Sequence, residues 1–383
     1  MKIGIFGATI YNHNLGCQAL SWALMAFLQK VSQKSKVRFD YVIFDRSIHE
    51  DCNKKFMKQF NLEENQVEFI IGSTPKFYKV KQNYAFFKTV SECDLIIDIT
   101  QGDSFSDIYG DKRFLTWSVE KKLAEKKCRF ILGPQTYGPF NKERNRKIAM
   151  RIIENADLVI SRDQMSSDYI AKYTNKNIIQ GIDVAFILPY EKKKIKQERV
   201  NVGINISGLL WNKESKLNLK YKTDYQEYID KLLKYLMNNE KYNIYIISHV
   251  KNDYIGAKEV CEKYKNLNLV PAFKDALEAK SFISSMDCFI GSRMHATIAA
   301  ISSGVPVIPV SYSRKFEGLY NSLHYEHVVS LERLDTNESF KKTVNLINDL
   351  SLLQKDVKEA LIEANSRITL MVDELAKYIE SIQ

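Results

Sequence analysis

Residues 286–312 read MDCFIGSRMHATIAAISSGVPVIPVSY. An apolar run, MDCFI (286–290), gives way to a helix, and a second apolar run, VPVIPVSY (305–312), follows it. Continuous apolar strands joined by a helix belong to a parallel sheet covered on both faces. The junction is the unusual part. Ser292 is suited to cap the helix by accepting a backbone N–H. Arg293 and His295 then fall in the first turn, where the macrodipole is positive and a cation is unfavourable by a few tenths to about 1 kcal/mol. A bound anion removes that conflict, with the helix N-terminus and Arg293 gripping a phosphate or carboxylate together. The imidazole beside it is placed to move a proton.

The same alternation runs outward in both directions. In the first half the strand runs are KIGIFG (2–7), RFDYVIFD (38–45), VEFII (67–71), DLIIDIT (94–100), CRFILG (128–133) and DLVIS (157–161), with helical patterns between them. The order βαβα predicts an α/β, doubly wound domain. PYEKKKIKQERV (189–200) is polar without apolar periodicity and reads as a linker. The pattern restarts with NVGINIS (201–207), YNIYIISHV (242–250), NLNLV (266–270), MDCFI, VPVIPVSY and VVSL (328–331), and residues 336–381 are helical throughout. The expected domains are 1–190 and 201–335, both Rossmann-like with parallel sheets. A C-terminal helix pair (336–383) follows and is able to cross back to the first domain. This arrangement resembles the GT-B architecture, whose ligands lie beyond the carboxyl ends of the strands.

Bulk properties agree with a globular chain. The 383 residues are 45% hydrophobic and 27% charged, too many for one ordinary core. No apolar run is long enough to span a membrane. MKIGIFGATI is a strand and turn rather than a signal sequence, so a cytoplasmic location is expected. The six cysteines show no metal-ligand spacing and read as small buried hydrophobes in a reducing compartment. No cofactor and no metal are expected. The net charge of +10 is spread along the chain without interleaved aromatics, which argues against nucleic acid. It suits a phosphorylated substrate, or a lipid-linked acceptor met by peripheral association with an anionic inner membrane leaflet.

The residues just after each strand carry the chemistry. GATIYNHNLGCQAL is a Gly/Asn turn opening a helix near Gly16, suited to an anion or a hydroxyl-rich ligand. QGDSFSDIYGDKRF follows Asp98, which lies within an apolar strand and needs a partner if ionised. Asp107 and Asp111 read as a solvated loop and a helix N-cap, a reading that does not cover Asp98 and Asp103. PQTYGPF sets Gln135 between two prolines. Arg162, in SRD, has two readings: an ion pair with a nearby Asp, or an anion clamp. His249 and Asp253 end another strand, and Tyr312, Ser313, Arg314 and Lys315 follow the last long one.

Taken together, NLGCQAL (14–20), DITQGDSFSDIYG (98–110), GPQTYGP (133–139), ADLVISRD (156–163) and above all GSRMHATIAAISSGVPVIPVSYSRK (291–315) resemble the polysaccharide pyruvyl transferase family over roughly residues 1–330. The resemblance implies transfer of the enolpyruvyl unit of phosphoenolpyruvate onto two hydroxyls of a sugar, giving a pyruvate ketal and phosphate in surface polysaccharide biosynthesis. It assigns Arg162 and Arg293 to the donor's phosphate and carboxylate, with Lys315, Ser292 and Ser313 as further donor ligands. His295 becomes the general acid that protonates the methylene carbon. Asn14, Asp98, Asp103 and Gln135 would face the sugar or lipid-linked oligosaccharide acceptor. One departure stands out: many relatives carry an acidic residue soon after the NxG turn, where this chain has Cys17-Gln18. The rival reading is a GT-B glycosyltransferase with a nucleotide-sugar donor, for which Glu317 is the nearby ribose-binding candidate. A non-catalytic binding module is the second rival, opposed by the presence of His295, Arg293 and Arg162.

Overall fold

The computed structural model describes residues 1–72, 80–195, 198–212 and 221–383, with side chains throughout these except at 80–82 and 314–315. Residues 196–197 of the expected linker and the side chain of Lys315 therefore lie outside the described residues.

Strand runs rich in Ile and Val are apolar on both faces because helices cover both faces. Ile3, Ile5, Ile96 and Ile97 in one sheet, and Val202 and Ile204 in the other, are almost wholly buried. The first sheet contains β1 (Lys2–Phe6), β2 (Asp40–Asp45), β3 (Val67–Ile71), β4 (Leu95–Asp98), β5 (Arg129–Gln135), β6 (Leu158–Ser161) and β7 (Ile179–Gln180). Its helices are α1 (Leu15–Ser35), α2 (Glu50–Gln59), α3 (Val80–Ser91), α4 (Asp111–Lys127), α5 (Glu143–Asn155) and α6 (Gln164–Ala171). The strand order is β3-β2-β1-β4-β5-β6-β7, with parallel pairing throughout.

The second sheet contains β8 (Val200–Asn205), β9 (Tyr242–Ile247), β10 (Asn268–Leu269), β11 (Cys288–Gly291), β12 (Val307–Ser311) and β13 (Val329–Ser330), in the order β10-β9-β8-β11-β12-β13. Its pairs are parallel too. The intervening helices are α7 (Gly208–Trp211), α8 (Tyr225–Met237), α9 (Asp253–Lys263), α10 (Ala276–Ile283), α11 (Met294–Ser302) and α12 (Arg314–Ser322), and α13 (Thr336–Asn348) and α14 (Leu350–Ser381) close the chain. Each strand order reverses once, between β1 and β4 and between β8 and β11. Those switch points open the crevices where such sheets take ligands.

The chain divides into two compact units, each assembled from separated segments. One comprises Met1–Asn12, Leu20–Ile187 and Ser366–Gln383; the other comprises His13–Ala19 and Leu188–Asn365. Contacts explain the division. In the first unit Met371 of α14 packs on Gly181 so closely that a Cβ there would lie 2.3 Å from its sulfur. Lys34 pairs with Asp373 at 2.9 Å. In the second, Gln354, also of α14, donates to the Gly304 carbonyl at 3.1 Å. Two backbone N–H groups of the expected linker, at Glu191 and Lys193, donate to Ser281 and Ser284.

A buried polar cluster sits at the end of β4. Asp98 pairs with Lys121 of α4 at 2.8 Å, and both side chains are fully buried. Thr100 Oγ1 donates to Asp98 Oδ2 and accepts from Lys121, while the ammonium lies over the Phe105 and Trp117 rings. Thr100 and Gln101 take left-handed backbone conformations, with φ of 36° and 52°. Such conformations cost of order 1–3 kcal/mol each and persist only where the surroundings over-determine them. Burial lowers the Lys121 pKa, an effect that Asp98 opposes. Removing one member of a buried pair strands a charge. Lys121→Met is therefore expected to lower unfolding stability by about 3–5 kcal/mol in urea denaturation. Adding Asp98→Asn should restore part of the loss. An unchanged midpoint in the single variant would mean that Asp98 is neutral.

Candidate active site

The second unit gathers its polar side chains at the carboxyl ends of β8, β9 and β11. Their centre is Asp253, the first residue of α9 and fully buried. Its Oδ1 accepts from the Gly208 N–H at 2.9 Å and from Arg293 Nη2 at 2.7 Å and Nε at 3.1 Å. Its Oδ2 accepts from the backbone N–H groups of Val250 (3.1 Å) and His249 (3.3 Å). Burial works against the Arg293 charge, but Asp253 outweighs it and holds the guanidinium above its ordinary range. Arg293 Nη1 makes no hydrogen bond to a described residue.

The junction after β11 differs from the expectation in one respect. Arg293 itself is the N-cap of α11, with extended φ and ψ of −110° and 122°. Ser292 lies one residue earlier, is buried, and shares a 2.9 Å hydrogen bond with the Tyr225 hydroxyl. It therefore does not cap the helix. The tyrosine occupies its hydroxyl, and the extended backbone of Arg293 moves the helix start on. His295 is in the first turn, as expected, and no acidic residue accompanies it there.

Segment His13–Gly16 reaches this centre from the far end of the sequence. Asn14 forms an antiparallel bridge with Val250. The Leu15 N–H donates to the His249 carbonyl at 3.2 Å, and the Lys251 N–H donates to the His13 carbonyl at 3.2 Å. Asn14 Oδ1 accepts from the Gly16 N–H at 3.0 Å. Gly16 then rests against His295: a Cβ built on it would lie 2.5 Å from Nδ1, 2.8 Å from Cγ and 3.0 Å from the His295 Cβ. Any side chain larger than hydrogen would displace the imidazole. Gln18, at the departure from the family pattern, accepts through Oε1 from the Ala276 N–H at 2.8 Å, the first N–H of α10. That seat at a helix N-terminus suits a carboxylate equally well.

His249 is a second imidazole in this group, and it is buried. Burial, reinforced by the charges of His295 and Arg293, lowers its pKa from 6.5 to about 3. The ring is therefore neutral at physiological pH. Ser313 caps α12 by position, and its N–H donates to Ser311 Oγ at 3.4 Å. Glu317 pairs with Arg333.

The remaining expected site residues belong to the first unit. Asp98 is enclosed by Lys121, Thr100 and Gln135. Gln135 is fully buried and donates through Nε2 to both the Asp98 carbonyl (2.9 Å) and its Oδ2 (3.1 Å). Asp103 is half-buried and accepts from the Tyr109 hydroxyl at 2.8 Å. Arg162 shows the ion-pair reading: Nη1 meets Asp183 at 2.7 Å and Nε donates to Thr136 Oγ1 at 2.9 Å, all of it buried. Burial pushes the Asp107 carboxyl up, but the N–H groups of Lys142 and Asn141, with the Asn145 and Asn141 amides, together outweigh it and keep it below the ordinary range. Asp111 follows the actual N-cap, Gly110, and bonds Asn145 and Lys142. Asn14 sits with the second unit's residues, not with Asp98 and Gln135. Sequence reading assigned no role to Lys121, Gly16 or Asp253, although HVKND placed the last of these at a strand end.

Comparison with known proteins gives the family and the fold class. The profile of the polysaccharide pyruvyl transferase family matches residues 14–314. A curated relative, the amylovoran biosynthesis protein AmsJ of Erwinia amylovora, is 22% identical over 299 residues, covering 72% of this chain and 71% of that protein. Among solved structures, UDP-GlcNAc 2-epimerase from Neisseria meningitidis bound to UDP-GlcNAc superimposes with a TM-score of 0.62 at 12% identity, covering 98% of this chain and all of that one. Anabaena Alr3699/HepE in complex with UDP and glucose gives 0.60 at 13% identity over the full length of both. The two parallel-sheet α/β domains are thus of the GT-B class. Within that class, the chain belongs to the polysaccharide pyruvyl transferase family, a family of transferases in polysaccharide synthesis. Among the described residues, no helix is long and apolar enough to cross a membrane.

The neutral His249 has a consequence for stability. Between pH 3 and 6.5 the unfolded chain binds a proton there that the folded chain does not. Stability therefore rises with pH through this window and is lost as the pH falls, by about 1.4 kcal/mol per pH unit from this group. His249→Asn is expected to flatten the stability–pH curve below pH 6.5, measured by urea denaturation across that range. A curve parallel to wild type would show that His249 is charged in the folded protein.

Proposed function

We propose that the protein moves the enolpyruvyl group of phosphoenolpyruvate onto two hydroxyls of a sugar, forming a cyclic pyruvate ketal and releasing phosphate. The observation that carries this reading is the pairing of His295, in the first turn of α11, with the Asp253-anchored Arg293 at its N-cap. A helix N-terminus that carries Arg293 and no acid in its first turn favours a small, highly charged anionic donor.

His295 delivers a proton to the methylene carbon. Positive charge builds at C2, and one acceptor hydroxyl attacks there, its proton restoring the one His295 gave up. The second hydroxyl then attacks C2 as the bond to the phosphate oxygen breaks, and its proton leaves with the phosphate. One C–H and two C–O bonds form; the C=C π bond and one C–O bond are lost. An imidazole suits the acid because its ordinary titration range spans neutrality. Arg293 keeps Nη1 for the donor's carboxylate or phosphate and stabilises the departing charge. Arg162 spends Nε and Nη1 on Thr136 and Asp183 and likewise keeps one terminal nitrogen. Lys315, Ser292 and Ser313 are the further donor ligands in this reading. Asp103 and Asn14 remain assigned to the acceptor, a free or lipid-linked sugar; Asp98 and Gln135, both fully buried, are left to hold the end of β4. No further cofactor is invoked. The positive charge suits work beside an anionic membrane surface in the cytoplasm.

Calorimetric titration with phosphoenolpyruvate, with UDP-sugars as controls, tests the donor. Saturable binding that Arg293→Ala weakens by about tenfold or more is expected for a charge-assisted contact. A UDP-sugar that binds where phosphoenolpyruvate does not would make the protein a glycosyltransferase. His295→Ala should lower phosphate release with acceptor by about 10²–10⁴-fold while donor binding persists. Full activity in that variant would remove the general-acid role.

A further inference from the structure

We infer that Gly16 is a positioning residue for His295, and that segment His13–Gly16 turns the imidazole so that Nε2, not Nδ1, delivers the proton. The inference rests on the pyruvyl-transfer reading for the identity of the proton's destination, but its geometry stands on the contacts themselves.

The segment is fastened at several points before it touches the histidine. The Asn14–Val250 bridge and the Leu15–His249 and Lys251–His13 backbone hydrogen bonds tie it to the end of β9. Gln18 ties its continuation to the first N–H of α10. Asn14 Oδ1 then holds the Gly16 N–H, which fixes how the glycine presents its α-carbon. That α-carbon faces the Nδ1–Cγ edge of the ring, with room for hydrogen alone. A ring walled along that edge turns its opposite edge away from the segment; Nε2 lies on that edge and is itself buried. Misplacing a catalytic group by about 1 Å costs on the order of a hundredfold in rate, so a rigid wall at this edge matters to turnover. Asn14 thereby acquires a role distinct from acceptor binding: it orients the residue that orients the acid.

Nitrogen-15 NMR of the intact protein, labelled at histidine and assigned with His295→Gln, tests this with phosphoenolpyruvate as the probe. In wild type, the His295 Nε2 signal should shift on titration while Nδ1 moves little. In Gly16→Ala, calorimetric binding of phosphoenolpyruvate should stay within about threefold while the Nε2 response is lost or divided between the two nitrogens, a loss of geometry rather than of affinity. Asn14→Ala should reproduce the effect in weaker form, and Asn14→Asp, which retains the accepting oxygen, should restore it. A shift at Nδ1 in wild type, or a wild-type response in Gly16→Ala, overturns the inference. If wild type binds no phosphoenolpyruvate, the functional reading fails instead. The positioning claim is then judged on the free protein, where Gly16→Ala must change the His295 ring shifts, and unchanged shifts would refute it.

Discussion

Asp253 is the group on which the candidate active site depends. Its carboxylate lies out of water, and such burial costs several kcal/mol unless donors replace the lost hydration. The replacements come from three strand ends at once: Gly208 after β8, His249 and Val250 after β9, and Arg293 after β11. The carboxylate therefore fixes both the spacing of these ends and the plane of the guanidinium. Arg293 is held in one orientation before any ligand arrives, so little side-chain entropy is left to lose on binding. The anchored β9 end in turn offers the carbonyl and N–H that fasten His13–Gly16.

The first unit solves the same problem with different partners. At its strand ends Asp98 meets Lys121, and Arg162 meets Asp183. Both are charge pairs in a low-dielectric setting, where breaking a pair is far more costly than making it is rewarding. The left-handed Thr100–Gln101 turn is held by the Asp98–Lys121 pair through the threonine hydroxyl. Both switch points are thus built from buried ionic chemistry instead of apolar packing.

Much of this was legible in the sequence because continuous apolar runs leave a clear signature. The long strands, the two-sheet organisation and the Arg293–His295 junction were all readable. β7 was not: Ile179–Gln180 is too short to show a period. Residues 336–381 read as helical throughout, and only the structure shows the break at Asp349 between α13 and α14. Lys121 was hidden because the helical segment DKRFLTWSVEKKLAEKK holds five lysines, and nothing local tells which of them faces inward. Gly16 was seen as a helix start, since its reason for being glycine lies in a histidine at the other end of the chain. Ser292 was misjudged by a single position at the helix start, where local preference yields to the tyrosine that takes its hydroxyl.

The segment division also bears on how the molecule comes into being. The first unit is not finished when its seventh strand has been made, because Ser366–Gln383 belongs to it and Met371 must cover Gly181. A ribosome therefore releases the last piece of the first unit only after the whole of the second has emerged. Until then the surface around Gly181 stands without its helix. Vectorial synthesis, which lets many two-domain chains complete one domain before starting the next, is closed to this one. Cutting the gene at the apparent boundary would give two incomplete parts instead of two domains.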